Sequence, residues 1–226
     1  MASVDIWGFR SKAFKNKFEH VFGMQKKEFL CYSGVPSKYI QPIDRHFNDG
    51  IKHFAFLGSL FKLKNVDITI HALHQAFPGK DFTFDVIGDG AELDNLKNLS
   101  HDLGLNEQVV FHGKKSRDEA QALLSRAECF VMVSSREAFG LVYIEAMAKG
   151  CITIATEGQG IDGVIEDGEN GFLCKSRDID GLARTIIKIH SLDKSVLEVI
   201  SKKAVETAST LTDKNVAETY IETIIS

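Results

Sequence analysis

The chain has 226 residues, of which 44% are hydrophobic and 26% are charged. This composition is ordinary for a globular protein and excludes the collagen, coiled-coil and disordered classes. A formal net charge of −4 gives no support to non-specific binding of nucleic acid. The charge is uneven, because residues 1–30 carry +3 and the remainder −7. We therefore expect the N-terminal segment to belong to a different structural unit.

The cellular context is predicted from the cysteines and from the apolar segments. Four cysteines occur without a Cys-x-x-Cys pair, which favours reduced thiols. No apolar segment is long enough to span a bilayer, and no signal peptide opens the chain. These features predict a cytoplasmic protein, with peripheral association at the inner membrane face as an open alternative.

The first 50 residues differ from the rest of the chain. An amphipathic, basic and Phe-rich helix is predicted over about 9–22, followed by a short strand over 29–32 and a polar segment containing Pro42. A solvated face on a packed helix is the favoured interpretation of that helix. We predict that 1–50 is the end of a preceding unit plus a linker, and that 51–226 is the main domain.

From residue 53 onward, short apolar runs alternate with segments of helical periodicity. The predicted strands are 53–57, 82–87, 108–111, 129–133, 151–155 and 171–174. The predicted helices lie at about 64–77, 91–103, 116–126, 140–149, 161–166 and 178–190, with two more in 194–225. This alternation predicts the α/β class: a Rossmann-like parallel sheet with helices on both faces.

Flexible, polar segments follow the predicted strands. They are Gly58-Ser59, Gly88-Asp89-Gly90, Gly113-Lys114-Lys115, 134–140 and 156–160. Because open parallel sheets bind ligands beyond the carboxyl ends of their strands, we predict the ligand site at this edge. A dinucleotide fingerprint is not met, since Leu93 stands where a third glycine or alanine is needed. No Walker A sequence is present either.

The segment 134–150 carries the most chemistry. A strand ends, the chain turns at Gly140, and a helix begins, which predicts a phosphate site at the N–H groups of the helix start. Glu137 and Glu145 flank this turn, and carboxylates beside a phosphate suit the hydroxyls of a sugar and a ribose. Two alternatives stay open: an acid/base pair for glycoside hydrolysis, or a favourable charge at a helix start with Glu145 solvated.

Further candidates lie on neighbouring segments. Lys64 is predicted to begin a helix, where an acidic residue is normally preferred, so it indicates a site for a diphosphate leaving group. Lys114 and Lys115 precede a capping box at Ser116 and are expected to be solvated. His112 either lines a base pocket or is a hydrogen-bonded structural histidine. Asp178-Ile179-Asp180 resembles a motif that chelates a metal–diphosphate, but it opens a predicted helix, where acidic residues are favoured. His71 and His74 lack a third ligand, so no metal site is expected.

Five segments, in order and with matching spacing, resemble a known family. They are 54–60 with Lys64, 86–90, 109–113, 137–145 and 165–173. Together they resemble the C-terminal donor-binding domain of the retaining GT-B glycosyltransferases of family 4, the glycosyl transferases group 1. The resemblance covers roughly residues 31–190.

The resemblance implies a function and residue roles. Such enzymes transfer a sugar from a nucleotide-diphospho-sugar to an acceptor sugar, glycolipid or polysaccharide, with retention and generally without a metal or other cofactor. It implies that Glu137 contacts donor-sugar hydroxyls, that Glu145 contacts the ribose, and that His112 borders the base. The diphosphate would be held by Lys64 and the backbone around Phe139, Gly140, Leu141 and Val142, with Gly58, Ser59, Gly88 and Gly90 completing the donor site.

The chain also departs from the family pattern. Ser59 stands where the family usually has an arginine, and Gly163 where it often has a glutamate. Residues 1–50 would be the end of the acceptor domain and the interdomain linker, so we expect a separate acceptor domain or a longer protein. A non-catalytic nucleotide-sugar-binding accessory subunit and a sugar-nucleotide epimerase of GT-B architecture remain alternatives.

Overall fold

A small N-terminal unit opens the structure, a computed structural model that describes residues 5–225. Strand β1 (Trp7–Phe9), helix α1 (Lys12–Phe22) and strand β2 (Glu28–Leu30) form a two-stranded parallel sheet with its crossover helix. Phe18 packs on the rings of Trp7 and Phe9, with centroids 4.9 and 5.3 Å away. The predicted helix is confirmed from residue 12 onward. Strand β2 lies at 28–30 where the sequence predicts a strand over 29–32, and β1 is not among the predicted strands.

The main sheet has six parallel strands. They are β3 (His53–Leu57), β4 (Thr83–Ile87), β5 (Val109–Gly113), β6 (Cys129–Val131), β7 (Ile152–Thr156) and β8 (Phe172–Cys174). Their order is β5-β4-β3-β6-β7-β8, with every neighbouring pair parallel. Strands β3 to β5 are therefore added one after another toward one edge of the sheet, and strands β6 to β8 toward the other edge. This topology confirms the predicted α/β class.

Two groups of helices flank this sheet. The helices are α2 (Val66–Ala76), α3 (Leu93–Asp102), α4 (Arg117–Leu124), α5 (Leu141–Met147), α6 (Ile179–His190), α7 (Lys194–Thr210) and α8 (Asp213–Ile225). Helix α2 contacts α3 and α6, whereas α5 contacts α7 and is bonded to α4. Right-handed crossovers that run in opposite directions from the centre place helices on opposite faces.

One predicted helix is wrong. Residues 161–166 form consecutive turns with an isolated bridge between Asp162 and Ile165. The apolar spacing arises because Ile161, Val164 and Ile165 are all buried, but Gly163 has φ +95°, which a regular helix does not allow. The segment is a compact loop beyond β7.

The two ends of the chain meet beside the linker. Val35 donates its N–H to the Leu211 carbonyl (3.0 Å) and accepts from the Asp213 N–H (2.9 Å). Helix α8 then continues to the N-terminal unit, where the Tyr220 ring lies 5.6 Å from that of Phe29. Residues 31–50 are otherwise mostly irregular, apart from a short 3-10 helix, Ser37–Tyr39.

Candidate functional site

The loops beyond β3, β4 and β5 form a groove at the carboxyl edge of the sheet. Its volume is about 350 Å³, and it is lined by Leu57, Gly58, Ser59, Ile87, Gly88, Asp89, Lys114 and Lys115. The two lysines are exposed, as predicted, but they also face this groove. The edge predicted from the flexible segments is therefore concave, and it carries two cations that sequence reasoning assigned to solvent.

Close backbone contact explains the first glycines of this edge. Gly88 has φ +144°, and a Cβ placed on it would lie 1.8 Å from the Gly58 carbonyl oxygen. A Cβ on Gly90 would similarly lie 2.5 Å from the Leu60 carbonyl oxygen. The two loops can approach each other only without side chains at these positions. Gly88, which lines the groove, and Gly90 thus let the backbones of the two loops pack closely together.

Lys64 and Glu137 meet at the centre of the edge. The Lys64 ammonium lies 2.6 Å from Oε2 of Glu137, and the two side chains are only 23% and 15% exposed. The prediction that Lys64 begins a helix is wrong: it ends a short 3-10 turn, and α2 starts at Val66. Helix α2 does not extend upstream of Val66, because Asn65 has a left-handed backbone (φ +53°) that a regular α-helix does not contain. Lys64 nevertheless lies beside Glu137, the other residue predicted to contact the donor.

Asn65 joins the start of α2 to the segment that follows β6. It was not identified as a candidate from the sequence. Its side chain is 2% exposed, and its Nδ2 lies 2.7 Å from the Val133 carbonyl oxygen and 2.9 Å from Oγ of Ser135. Oγ of Ser176 is 3.1 Å away. A buried amide with such partners fixes the backbone on both sides of the Lys64–Glu137 pair. The only sequence signal was an asparagine directly before a helix, which is common at helix starts.

The start of α5 has the geometry expected of an anion site. Gly140 precedes the helix with φ +86°, and a Cβ there would lie 2.5 Å from the Tyr143 ring. The first turn is closed by the Tyr143 N–H and the Gly140 carbonyl (3.0 Å), so the N–H groups of Leu141 and Val142 precede the helical hydrogen bonds. Phe139 is buried and stacks on Tyr32 of the linker at 5.5 Å.

Tyr143 anchors this helix start to the sheet. Its hydroxyl donates to the Met132 carbonyl at 2.6 Å, and its ring meets the Phe130 ring edge-on at 5.8 Å. Burial raises the pKa of Tyr143 well above its usual range, so the phenol remains a hydrogen-bond donor. Losing that hydroxyl would leave a buried carbonyl unpaired at a cost of about 1–3 kcal/mol.

Glu145 is buried, which contradicts the alternative that it is a solvated helix residue. Only 7% of the residue is exposed. Its Oε1 accepts from Nη2 of Arg117 (2.5 Å) and its Oε2 from Nε2 of Gln121 (2.7 Å), both on α4. The capping box of Ser116 and Glu119 at the start of α4 is confirmed. A buried carboxylate with two directed donors is a fixed acceptor, which suits a hydroxyl-bearing ligand.

His112 is a satisfied histidine in this structure. It lies in β5, and its Nε2 is 2.7 Å from Oδ1 of Asp85 in the neighbouring strand. Both side chains are partly buried. Of the two alternatives, the hydrogen-bonded one is observed; the bond to Asp85 does not prevent the following loop from bordering the groove.

The N-terminal unit contacts the loop after β7 at Gly163. A Cβ at this glycine would lie 2.8 Å from Cδ of Lys12 in α1, and Nζ of Lys17 donates to the Gly158 carbonyl at 2.8 Å. A glutamate at position 163 would therefore collide with α1 as well as require an unfavourable backbone angle. The glycine at this position is explained by the packing of α1.

Residues 5–225 contain no group of three or more histidines, cysteines or acidic residues arranged to hold a metal ion. Within the same residues, no helix has the length and apolar character required to cross a membrane.

The architecture defines the class of the protein. The structure has a six-stranded parallel sheet whose strand order reverses between β3 and β6, helices on both faces and a groove at the carboxyl edge. This is the Rossmann-like domain of the GT-B fold. The sequence model of the glycosyl transferases group 1 matches residues 40–206, and the chain belongs to this family.

Individual relatives agree with this assignment. The chain is 34% identical over 133 residues to N-acetyl-alpha-D-glucosaminyl L-malate synthase of Bacillus anthracis, covering 59% of this chain and 34% of that protein. It is 32% identical over 142 residues to the lipopolysaccharide core biosynthesis glycosyltransferase LpsE of Rhizobium meliloti, covering 62% and 41%. The chain thus spans well under half the length of both relatives.

Solved structures share the fold over nearly the whole chain. Anabaena Alr3699/HepE in complex with UDP superposes with a TM-score of 0.82 at 23% identity, covering 96% of this chain and 62% of that one. Sucrose-phosphate synthase from Thermosynechococcus elongatus gives a TM-score of 0.83 at 21% identity, covering 97% and 57%.

Proposed function

We propose that this chain is the donor-binding half of a glycosyltransferase that moves a sugar from a nucleotide-diphospho-sugar to an acceptor, with retention of configuration. The observation that carries the proposal is the Lys64–Glu137 ion pair, which lies at the sheet edge where α5 begins. A cation and a helix start hold a diphosphate, while a carboxylate beside them accepts bonds from sugar hydroxyls.

In this proposal the chain itself stabilises the leaving group. As the bond between the anomeric carbon and the phosphate oxygen breaks, its electron pair stays on the diphosphate. The acceptor hydroxyl passes its proton to an oxygen of the departing diphosphate, and its oxygen bonds to the anomeric carbon on the face that the diphosphate leaves. Lys64 and the N–H groups of Leu141 and Val142 face the developing charge, which lowers the barrier. We propose that neither a metal ion nor another cofactor is required.

The groove lysines offset the missing arginine. Ser59 stands where the family usually has a guanidinium, and it shares its groove with Lys114 and Lys115. Both lysines extend from the loop after β5, and their flexible ammonium groups can approach a phosphate that enters between the strands. We propose that they supply positive charge at this end of the diphosphate site.

We propose a hexosyl donor and a role in polysaccharide or glycolipid biosynthesis. That role is supported by a relative named as a lipopolysaccharide core biosynthesis glycosyltransferase. We further propose that residues 1–50 are the end of an acceptor-binding half and the linker, and that the rest of this half, in the same polypeptide or in a partner subunit, completes the cleft. The family match begins at residue 40, so most of residues 1–50 lie outside it, which supports that division.

Four free thiols support a reducing cytoplasmic location, and association with the inner membrane face is part of the same proposal.

Calorimetry with UDP, GDP and ADP tests the proposal. We expect at least one of them to bind, with equal affinity in the presence of EDTA, and absence of binding by all three at millimolar concentration would refute it. Glu145→Ala should weaken binding more than Glu137→Ala, because only Glu145 is assigned to the ribose. The reverse order would exchange the two assignments.

A further inference from the structure

Glu145 is oriented by residues outside the segment that contains it. Arg117 and Gln121 lie four positions apart on α4, hence on one face of that helix, and each donates to a different oxygen of the carboxylate. Each carboxylate oxygen offers about two acceptor positions, so both keep capacity for a ligand hydroxyl. The carboxylate is therefore fixed by two donors of one neighbouring helix and keeps unused acceptor positions.

The guanidinium of Arg117 is itself held by the linker. It lies 4.3 Å above the ring of Tyr39, in the short 3-10 helix that precedes the main domain. The Tyr39 ring is buried, and Nζ of Lys38 also lies 4.9 Å from its centroid. The Arg117 side chain remains 48% exposed. A planar cation bonded at one edge and stacked on a buried ring has little freedom to leave the carboxylate.

Electrostatics gives this arrangement a purpose. A buried carboxylate next to an anionic diphosphate repels it, and a guanidinium bonded to that carboxylate offsets the repulsion. Building on the proposed function, we propose that Arg117 is a positioning residue for Glu145 and that Tyr39 is a positioning residue for Arg117. The linker thereby takes part in nucleotide binding without touching the nucleotide.

The test is a set of affinities for whichever of UDP, GDP or ADP the wild type binds, measured by calorimetry together with the 2′,3′-dideoxy form of the same nucleotide. We expect Arg117→Ala to weaken binding about tenfold, Arg117→Lys to restore part of the loss, and Glu145→Gln to give a similar loss. The Arg117→Ala/Glu145→Gln double variant should be no weaker than either single variant, because both changes disable one acceptor.

The dideoxy nucleotide separates positioning from a general structural effect. It lacks the hydroxyls that Glu145 would accept, so Arg117→Ala should change its affinity little. Tyr39→Leu should weaken binding of the normal nucleotide about threefold, whereas Tyr39→Phe, which keeps the ring, should not. Arg126→Ala, an exposed arginine just beyond the same helix, is the matched charge control and should bind like the wild type.

The outcomes are distinct. If Arg117→Ala binds as tightly as the wild type or more tightly, or loses the same factor for the dideoxy form, the positioning role is wrong while the proposed function stands. If the wild type binds none of the three nucleotides, the proposed function fails, and the inference built on it fails too. Thermal unfolding of each variant checks that the loss is not caused by partial unfolding.

Discussion

The negative charge of Glu137, which is paired with Lys64, should weaken the binding of a free nucleoside diphosphate relative to a variant that is uncharged at position 137. The ammonium is already 2.6 Å from a carboxylate oxygen. A phosphate oxygen bonded to the same ammonium would lie about 4–5 Å from that carboxylate, given ordinary charge-assisted distances. Glu137→Gln removes one negative charge there while keeping the shape of the side chain. We therefore expect this variant to bind UDP, GDP or ADP more tightly.

The size of the effect follows from the separation and the burial. Two unit charges about 4 Å apart repel by about 1 kcal/mol in water and about 4 kcal/mol at an effective dielectric constant of about 20. Because the two side chains are 15% and 23% exposed, the site lies between these limits. A gain of about 2 kcal/mol corresponds to roughly 30-fold in Kd. The nucleotide-sugar should gain less or lose affinity, because its hydroxyls would donate to a neutral amide.

Calorimetry of the wild type and Glu137→Gln, with the free diphosphate and its sugar conjugate, measures both effects. Glu107→Gln is the matched control, since it makes the same charge change in an exposed turn before β5 and should leave both affinities unchanged. Raising the salt concentration should diminish the gain only in part, because partly buried charges are weakly screened. Weaker binding of the free diphosphate by Glu137→Gln would refute the idea that Lys64 serves both anions.

Three further outcomes follow from the packing. Gly88→Ala should destabilise the protein by at least about 2 kcal/mol in urea unfolding, since its Cβ would meet the Gly58 carbonyl, whereas Gly79→Ala, with open space around it, should be nearly neutral. Tyr143→Phe should cost about 1–3 kcal/mol in the same assay; an unchanged midpoint would contradict the assigned hydrogen bond. In thiol titration of the native protein at pH 8, only Cys31 should react quickly. Burial raises the pKa of Cys151 to about 11, that of Cys174 to about 12 and that of Cys129 well above its usual range. These three thiols therefore stay protonated. Rapid reaction of more than one thiol would contradict this burial.

The sequence predicts the main sheet well because its strands are short apolar runs. Strand β7 is buried at all five positions and β6 at all three, so both faces are apolar and the runs are continuous. Strand β1 has only Phe9 buried among its three residues, and it gave no such signal. The false helix at 161–166 has buried apolar residues at helical spacing, but turns bring them to the core instead.

The site is predicted less completely, because its contacts join distant positions. Strand ends indicate the edge at which the candidate side chains lie, and the local motifs indicate Lys64, Glu137 and Glu145 separately. They do not show that Glu145 is bonded from another helix, since the capping box accounts for the start of α4 without any role for Arg117. Asn65 was missed for a similar reason, because its side chain is hydrogen-bonded to three partners that are at least 68 residues away in the sequence.

The bonds between Val35 and residues 211–213 have a mechanical consequence. The backbone passes between the N-terminal unit and the main domain twice, once outward and once on its return to α8, and the two passages are hydrogen-bonded side by side. A single connecting segment would let the N-terminal unit rotate about it, whereas two hydrogen-bonded segments resist twisting and bend most readily about one axis. Movement of the N-terminal unit would therefore follow a restricted arc, which carries Lys12 and Lys17 toward or away from the loop beyond β7.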